Sequence, residues 1–494
     1  MTIPALPRRW QPSPGAAASD GVILATLALA TLLSRLPFRT SMLFNWDSAN
    51  FALATRWYDV TQHQPHPPGY LLYVAVGRLL LPIFGEANAA LVAVSLALSV
   101  GVPPLTYLLG KALFGRLVGL GAALFVLTSV TFWSYGGLAL AYPALALFAS
   151  WVAWSSYRTT WQGQSGAWLP LAVSYGLGAG FRPDLLFLLG PLWAAGLLRL
   201  GWRRALATVA VTGLAVLGWL VPTVALSGGL APYLAVLTAY TDRDVLERYS
   251  STRGGLTALL ATLRDLASYS WYALYATTLP LLAGLAALIV RRPRWDGRAL
   301  FFALWLVPPF AFYTIIHVGD PGYLFSVLPA LALLASQATV SLARWWAPRW
   351  GERLAAAGIG LLVLANASIF LFVPRLLTVP GLREHDRLLA AKIAYLRTLP
   401  NDGSMLLLSY ESYRHLRYYL PEWRASLWVD PFAPHPVQTA LAPETRWLLV
   451  VDARLANARG NRPGAELLPE VAMVRVPVSP GQRLTFGADV LSLD

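Results

Sequence analysis

The side chains best suited to chemistry crowd into one early stretch. Residues 44–50 read Phe-Asn-Trp-Asp-Ser-Ala-Asn, and Asp59, His63 and the run His66-Pro-Pro-Gly-Tyr70 follow. Asp47 is flanked by Trp46 and Phe51. A carboxylate beside aromatic rings is partly desolvated, and such a carboxylate is a stronger general base. The same position also fits an N-cap, with a helix starting near Ser48. His66-Pro-Pro-Gly alone reads as an extended, rigid turn ahead of a helix. Three later polar segments also stand out: Phe181-Arg182-Pro183-Asp184, Tyr240–Tyr249 (with Arg243 and Arg248), and His317-Val-Gly-Asp320-Pro-Gly-Tyr323. Their ordinary readings are a self-satisfied Arg182–Asp184 pair, a solvated surface helix and a solvated loop histidine. Gly-rich phosphate loops, His-Glu-x-x-His zinc sites and Gly-x-Ser-x-Gly elbows are absent from the apolar core.

These residues sit in an unusually apolar chain. Of its 494 residues 56% are hydrophobic and 13% charged, with mean hydropathy +0.54. Soluble proteins carry roughly 25% charged residues. The deficit excludes a disordered chain and an ordinary soluble enzyme, and it points to an all-α polytopic membrane protein. The absence of cysteine excludes disulfides and thiolate chemistry. Apolar runs predict about 11 transmembrane helices, at 21–36, 88–110, 117–135, 138–156, 167–181, 185–199, 205–226, 271–290, 299–316, 323–343 and 354–373. Lipid does not tolerate the break at 181–184, which belongs at an interface or in a cavity. Arg8 and Arg9 before the first run suggest a signal peptide, but Arg35 and Pro37 follow without a cleavage site, so the run reads as an anchor.

With the N-terminal segment 1–20 in the cytoplasm, the inner loops collect about fifteen basic residues against three acids. They include Arg8, Arg9, Lys111, Arg116, Arg158, and the arginines of 199–204, 291–298 and 344–353. The outer loops, above all 37–87 and 227–270, are near neutral. The net charge of +14 is therefore a topology signal and implies no nucleic-acid partner. Residues 68–82 are apolar enough to span, but a crossing there would put Lys111 and Arg116 outside. They read as an interfacial helix ended by Pro82. The transmembrane domain then covers 21–373. Residues 374–494 read as a small extracytoplasmic α/β domain: an amphipathic helix at 382–398, then short apolar runs at 405–409, 425–429, 446–451, 471–478 and 484–493, with a turn at 459–464.

Asp47 in the first outer loop, followed by His66-Pro67-Pro68-Gly69-Tyr70 and an apolar interfacial helix, resembles the class C membrane glycosyltransferases. The likeness is to the protein O-mannosyltransferase-like and aminoarabinose-transferase-like groups, and it covers roughly residues 20–200. The resemblance implies sugar transfer from a polyprenyl-phosphate donor to an acceptor hydroxyl on the outer face, with inversion. The acceptor is a protein, a lipid or a cell-envelope glycan. Asp47 matches the family's first-loop carboxylate, which deprotonates or orients that hydroxyl. Many relatives carry a second acid in the next outer loop. Here that loop reads Tyr135-Gly-Gly-Leu-Ala-Leu-Ala-Tyr142 without one. A two-carboxylate metal site is therefore not supported, and a divalent cation stays open as a cofactor.

A leaving phosphate needs cations or a metal, and arginine's planar fork suits it. Arg182, beside Asp184, is the preferred donor-binding residue. His66, Tyr70, Arg243, His317 and Asp320 complete the set expected to bind substrate, with Arg248 a further outer cation. Trp46, Trp57 and Tyr70 are candidate stacking platforms for a sugar. Two other classes remain open: a transporter or flippase of lipid-linked saccharides, and a non-catalytic relative that uses its C-terminal domain for assembly. The clustering of charge at the outer face, with no visible inverted repeat, argues against transport.

Overall fold

A computed structural model describes residues 14–247, 250–291, 296–409, 411–423, 426–428, 436–452, 464–487 and 491–493. Arg8, Arg9, Arg248, Arg292, Arg294 and most of the 459–464 turn lie outside the described residues. The chain divides into two compact units: residues 1–39 with 54–380, and residues 40–53 with 381–494.

The first unit is helical. In chain order the helices up to the first polar break are α1 (Pro14–Arg35), α2 (Trp46–Arg56, cut by the division between units), α3 (Leu71–Phe84), α4 (Ala87–Val100), α5 (Val102–Phe114), α6 (Arg116–Thr128), α7 (Val130–Tyr135), α8 (Pro143–Ser156) and α9 (Trp168–Phe181). Then come α10 (Leu185–Leu188), α11 (Gly190–Leu197), α12 (Trp202–Leu226), α13 (Leu230–Tyr240), α14 (Ser251–Leu274), α15 (Thr278–Arg291), α16 (Gly297–Ile315), α17 (Leu328–Trp346) and α18 (Gly351–Phe372).

Among the described residues, six helical stretches are long and apolar enough to cross a membrane: 19–38, 87–114, 202–226, 251–290, 297–315 and 351–372. The chain is thus a multi-pass membrane protein, with six such stretches where eleven were expected. The other expected spans fall on α-helices too short or too polar for that test, such as α8 and α9 with 14 residues each. Glycine, serine and proline interrupt them inside apolar runs, which hydropathy does not register. Segment 227–270 is likewise helical, not an open loop. Helix α3 ends on Gly85, whose N–H returns to Leu81 O, and Pro82 lies inside its last turn.

Packing in this unit depends on small residues, as expected where lipid removes the hydrophobic drive between helices. Helices α5 and α6 meet at Gly110 and Gly119, where a Cβ on either would stand 2.7 Å from the other helix's backbone. Arg35 is fully buried and donates to the carbonyls of Thr31 and Leu127, near the C-terminal ends of α1 and α6. Helix C-termini carry partial negative charge, which stabilises that guanidinium. Lys111 pairs with Asp20, which also accepts from Tyr107 Oη at 2.7 Å.

The second unit is β-rich and holds the C-terminal part of the chain. Helix α19 (Val379–Thr398) leads into β1 (Met405–Ser409), α20 (Tyr413–Tyr419), β2 (Ser426–Trp428), β3 (Val437–Ala440), β4 (Trp447–Val450), β5 (Glu466–Leu468), β6 (Met473–Pro477), β7 (Arg483–Phe486) and β8 (Leu491–Leu493). A five-stranded sheet runs β2-β1-β4-β6-β5, with β1 parallel to β2 and β4, and a three-stranded sheet runs β3-β7-β8. Helices α19 and α20 bury Leu389, Ile393, Leu396, Leu416 and Leu420 with Leu407 and Leu449 of the sheet. Residues of β7 and β8 pack with Leu408, Leu448, Val450 and Val476.

The buried imidazole of His415 predicts acid sensitivity in this unit. Burial, with His385 nearby, pushes His415 from its ordinary 6.5 down to about 4, against the opposing pull of Asp452; Lys392 adds to the depression. Its folded pKa lies below its unfolded one. As pH falls from about 6.5 to 4, the unfolded chain takes up a proton that the folded chain does not. The unit should lose about 3 kcal/mol across that window, with no contribution above it. His415→Leu should flatten this pH dependence, read by hydrogen exchange on β1 and β4 in the intact protein. An equally steep loss in the variant would assign the acid sensitivity elsewhere.

Candidate active site

Three polar breaks of the first unit meet around one guanidinium. Arg182 closes α9, its N–H bonded to Gly178 O, and Pro183 turns the chain into α10. The Arg182 side chain is 3% exposed, and Nε and Nη2 donate to Asp184 Oδ1 and Oδ2 at 3.2 and 2.8 Å. The rings of Tyr142, Tyr323 and Tyr70 surround the guanidinium carbon at 4.3, 5.1 and 5.2 Å. Burial alone disfavours the charged form. The Asp184 carboxylate, with the surrounding rings, more than offsets this and holds the pKa of Arg182 well above its ordinary value. Two of the five guanidinium N–H donors are used by Asp184.

Tyr70 reaches the cluster through the His66-Pro-Pro-Gly turn. Tyr58 Oη donates to Gly69 O at 2.8 Å, and Tyr233 Oη donates to Pro68 O at 3.0 Å. Gly69 has φ +124°, and a Cβ there would stand 2.6 Å from the Tyr58 hydroxyl, so the turn requires glycine. The Gln64–Pro65 and Pro67–Pro68 peptides are cis. His66 is buried with its ring 4.7 Å from that of Tyr70.

The third break follows α16. Asp320 caps the turn Pro321–Ser326, accepting from Gly322 N at 2.7 Å and from Tyr135 Oη at 2.6 Å. The segment 135–142, which lacks an acid of its own, thus meets a carboxylate from another element. The Tyr323 backbone oxygen accepts from Tyr313 Oη, and its ring lies 5.4 Å from His317. A Cβ at Gly322 would run into Tyr142, so this glycine lets two cage rings pack together.

The structure therefore gathers His66, Tyr70, Arg182, Asp184, His317 and Asp320 in one cluster. Tyr135, Tyr142 and Tyr323 also belong to it. In the sequence they stand only at loop boundaries, and 21 tyrosines give no contrast. Arg243 is exposed on the turn Thr241–Glu247, just after Tyr240, whose ring meets His63 at 6.3 Å. Asp47 belongs to the second unit, in the first turn of α2 and partly buried. It is not the helix cap. Asn45 Oδ1 accepts from Ser48 N and Oγ at 3.0 and 3.1 Å and does the capping instead. Among the described residues, no three His, Asp or Glu side chains group as metal ligands.

No family model matches the chain. A curated relative, the undecaprenyl phosphate-α-4-amino-4-deoxy-L-arabinose arabinosyl transferase 1 of Pseudomonas fluorescens, is 26% identical over 350 residues, 66% of this chain. The match spans 56% of that protein's length. Crystal structures of ArnT from Cupriavidus metallidurans share the backbone over 94% of this chain and 98% of theirs. The TM-score is 0.57 at 15% identity for the form bound to undecaprenyl phosphate, and 0.52 at 13% for the apo form. An Archaeoglobus fulgidus oligosaccharyltransferase tethered to an acceptor peptide matches at TM-score 0.50 and 12% identity, over 88% of this chain and 69% of that one. The chain has the fold that ArnT of Cupriavidus metallidurans displays.

Proposed function

We propose that this protein transfers a sugar from a polyprenyl-phosphate donor to an acceptor hydroxyl at the outer face of the membrane. The observation that carries the reading is the cluster around Arg182, in a chain with the ArnT fold. The ArnT structure with undecaprenyl phosphate bound, and the name of the Pseudomonas relative, support a lipid-phosphate donor. In this reading the chain crosses the membrane about eleven times with its N-terminus inside.

The scissile bond joins the anomeric carbon to a phosphate oxygen. The acceptor oxygen attacks the anomeric carbon in line and Asp47 takes its proton. The C–O bond to phosphate breaks, and polyprenyl phosphate leaves with the electron pair, inverting the centre. The planar Arg182 guanidinium, held in place by Asp184 and three rings, stabilises the charge gathering on the leaving phosphate; His66 and His317 add donors. A divalent cation, if used, would supply further charge stabilisation there.

The test is transfer in membranes expressing the chain. Undecaprenyl-phosphate-linked 4-amino-4-deoxy-L-arabinose and undecaprenyl-phosphate mannose serve as labelled donors, with and without EDTA. Label moving into an acceptor fraction is the expected result. Label crossing proteoliposome membranes without bond cleavage would replace this reading with a flippase.

A further inference from the structure

The residues leading into α2 are held by the C-terminal part of the second unit. Ser41 N and Oγ donate to Asp386 Oδ2 at 2.6 and 2.9 Å, and Met42 N donates to Oδ1 at 3.3 Å. Leu43 N donates to Tyr419 Oη at 2.9 Å, and Leu43 is fully buried. The Phe44 ring lies 4.9 Å from His385, and the Arg414 guanidinium lies 5.4 Å from the Trp46 ring. Three consecutive backbone N–H groups, four to six residues before Asp47, thus end on side chains more than 340 residues later. A segment outside helix and sheet must find such partners or leave its donors unpaired.

The supports are themselves fixed. Asp386 rides on α19, whose apolar face lies in the main core of the unit. Tyr419 and Arg414 ride on α20, and Asp452 pins its start. The Asp452 carboxylate accepts from Ser412 N and Oγ, from Glu411 N and from Ser409 Oγ. Asp452 follows β4 and Ser409 ends β1, so two neighbouring parallel strands set the position of α20.

Resting on the proposed function, we infer that the C-terminal unit sets the position of Asp47, with Asp386, Tyr419 and Arg414 as positioning residues. Asp386 supports the segment entering α2, Tyr419 fixes Leu43, and Arg414 seats Trp46 next to the base. A catalytic group displaced by about 1 Å can lose on the order of 100-fold in rate.

The experiment measures sugar transfer by the full-length enzyme carrying Asp386→Ala, Asp386→Asn or Tyr419→Phe, alongside undecaprenyl phosphate binding. Asp386→Ala should lower kcat about 10- to 100-fold, with donor KM and undecaprenyl phosphate affinity within about twofold of wild type. Asp386→Asn keeps an acceptor oxygen for Ser41 and should recover most of the rate. Tyr419→Phe should lose about 5- to 10-fold, again in kcat alone. Wild-type kcat in both Asp386→Ala and Tyr419→Phe overturns the inference. So does a matching loss of undecaprenyl phosphate binding, which marks general unfolding. If Asp386→Ala does not accumulate, Asp386→Asn and Tyr419→Phe decide by the same split. Asp47→Asn in the same assay separates the two levels. Full activity there removes the base itself, whereas an inactive Asp47→Asn beside a fully active Asp386→Ala removes only the positioning role.

Discussion

Arg182→Ala should abolish transfer, with a fall of about 1000-fold or more in kcat/KM. The effect combines two causes. The first is chemical. The guanidinium is the buried cation of the cluster, and its planar fork and three ring contacts fix where its positive charge lies. Preorganised charge of this kind acts without reorganisation as the phosphate leaves. The second is structural. Removing one member of a buried ion pair leaves Asp184 unpaired, at a cost of about 3–5 kcal/mol. Loss of activity alone would not separate the two.

Two further variants do. Arg182→Lys keeps the charge but loses the two-pronged geometry and the planar stacking, and should retain protein while losing about 100-fold in rate. The double variant Arg182→Met with Asp184→Leu removes both charges, so no buried charge is stranded, and replacing such pairs by apolar groups is often neutral or stabilising. It should accumulate normally and transfer nothing. Transfer at the wild-type rate by the double variant would remove this cluster from the chemistry.

The cluster was legible in the sequence in one respect and hidden in another. In a chain only 13% charged, each outer Arg, Asp or His is conspicuous, which is how Arg182, Asp184, His66, His317 and Asp320 could be named. Tyr142 and Tyr323 carry no such contrast. Their place in the cluster depends on three separate breaks of the chain converging, and no local spacing encodes that. The same division holds for the fold. Apolar runs located helical segments, but the interruptions at Gly101, Ser129 and Gly136 use residues that hydropathy tolerates. In the C-terminal unit the buried strand β1 was plain, with its run of leucines. Strands β3 and β5 are short and largely exposed, and their pairing with β7 and β6 is set by tertiary contacts. Asn45 and Asp47 are both good caps by type. Geometry alone gives the role to Asn45.

That assignment sharpens the expectation for Asp47. Asp47→Asn should lower kcat about 100- to 10,000-fold while leaving undecaprenyl phosphate affinity unchanged. The substitution is nearly isosteric, and α2 keeps its cap because Ser48 bonds to Asn45. The loss to the helix is confined to the favourable meeting of a carboxylate with the helix N-terminus, about 0.3–1 kcal/mol. Folding should therefore survive, and the rate loss reports the missing base. Asp47→Glu keeps the carboxylate but moves it by one methylene, and should fall between wild type and Asp47→Asn, since proton abstraction demands hydrogen-bond reach. The two variants also separate proton transfer from simple orientation of the acceptor. An amide can still hold a hydroxyl through its oxygen, so a pure orienting role predicts Asp47→Asn more active than Asp47→Glu. A base predicts the reverse order, and the measured ranking decides between them.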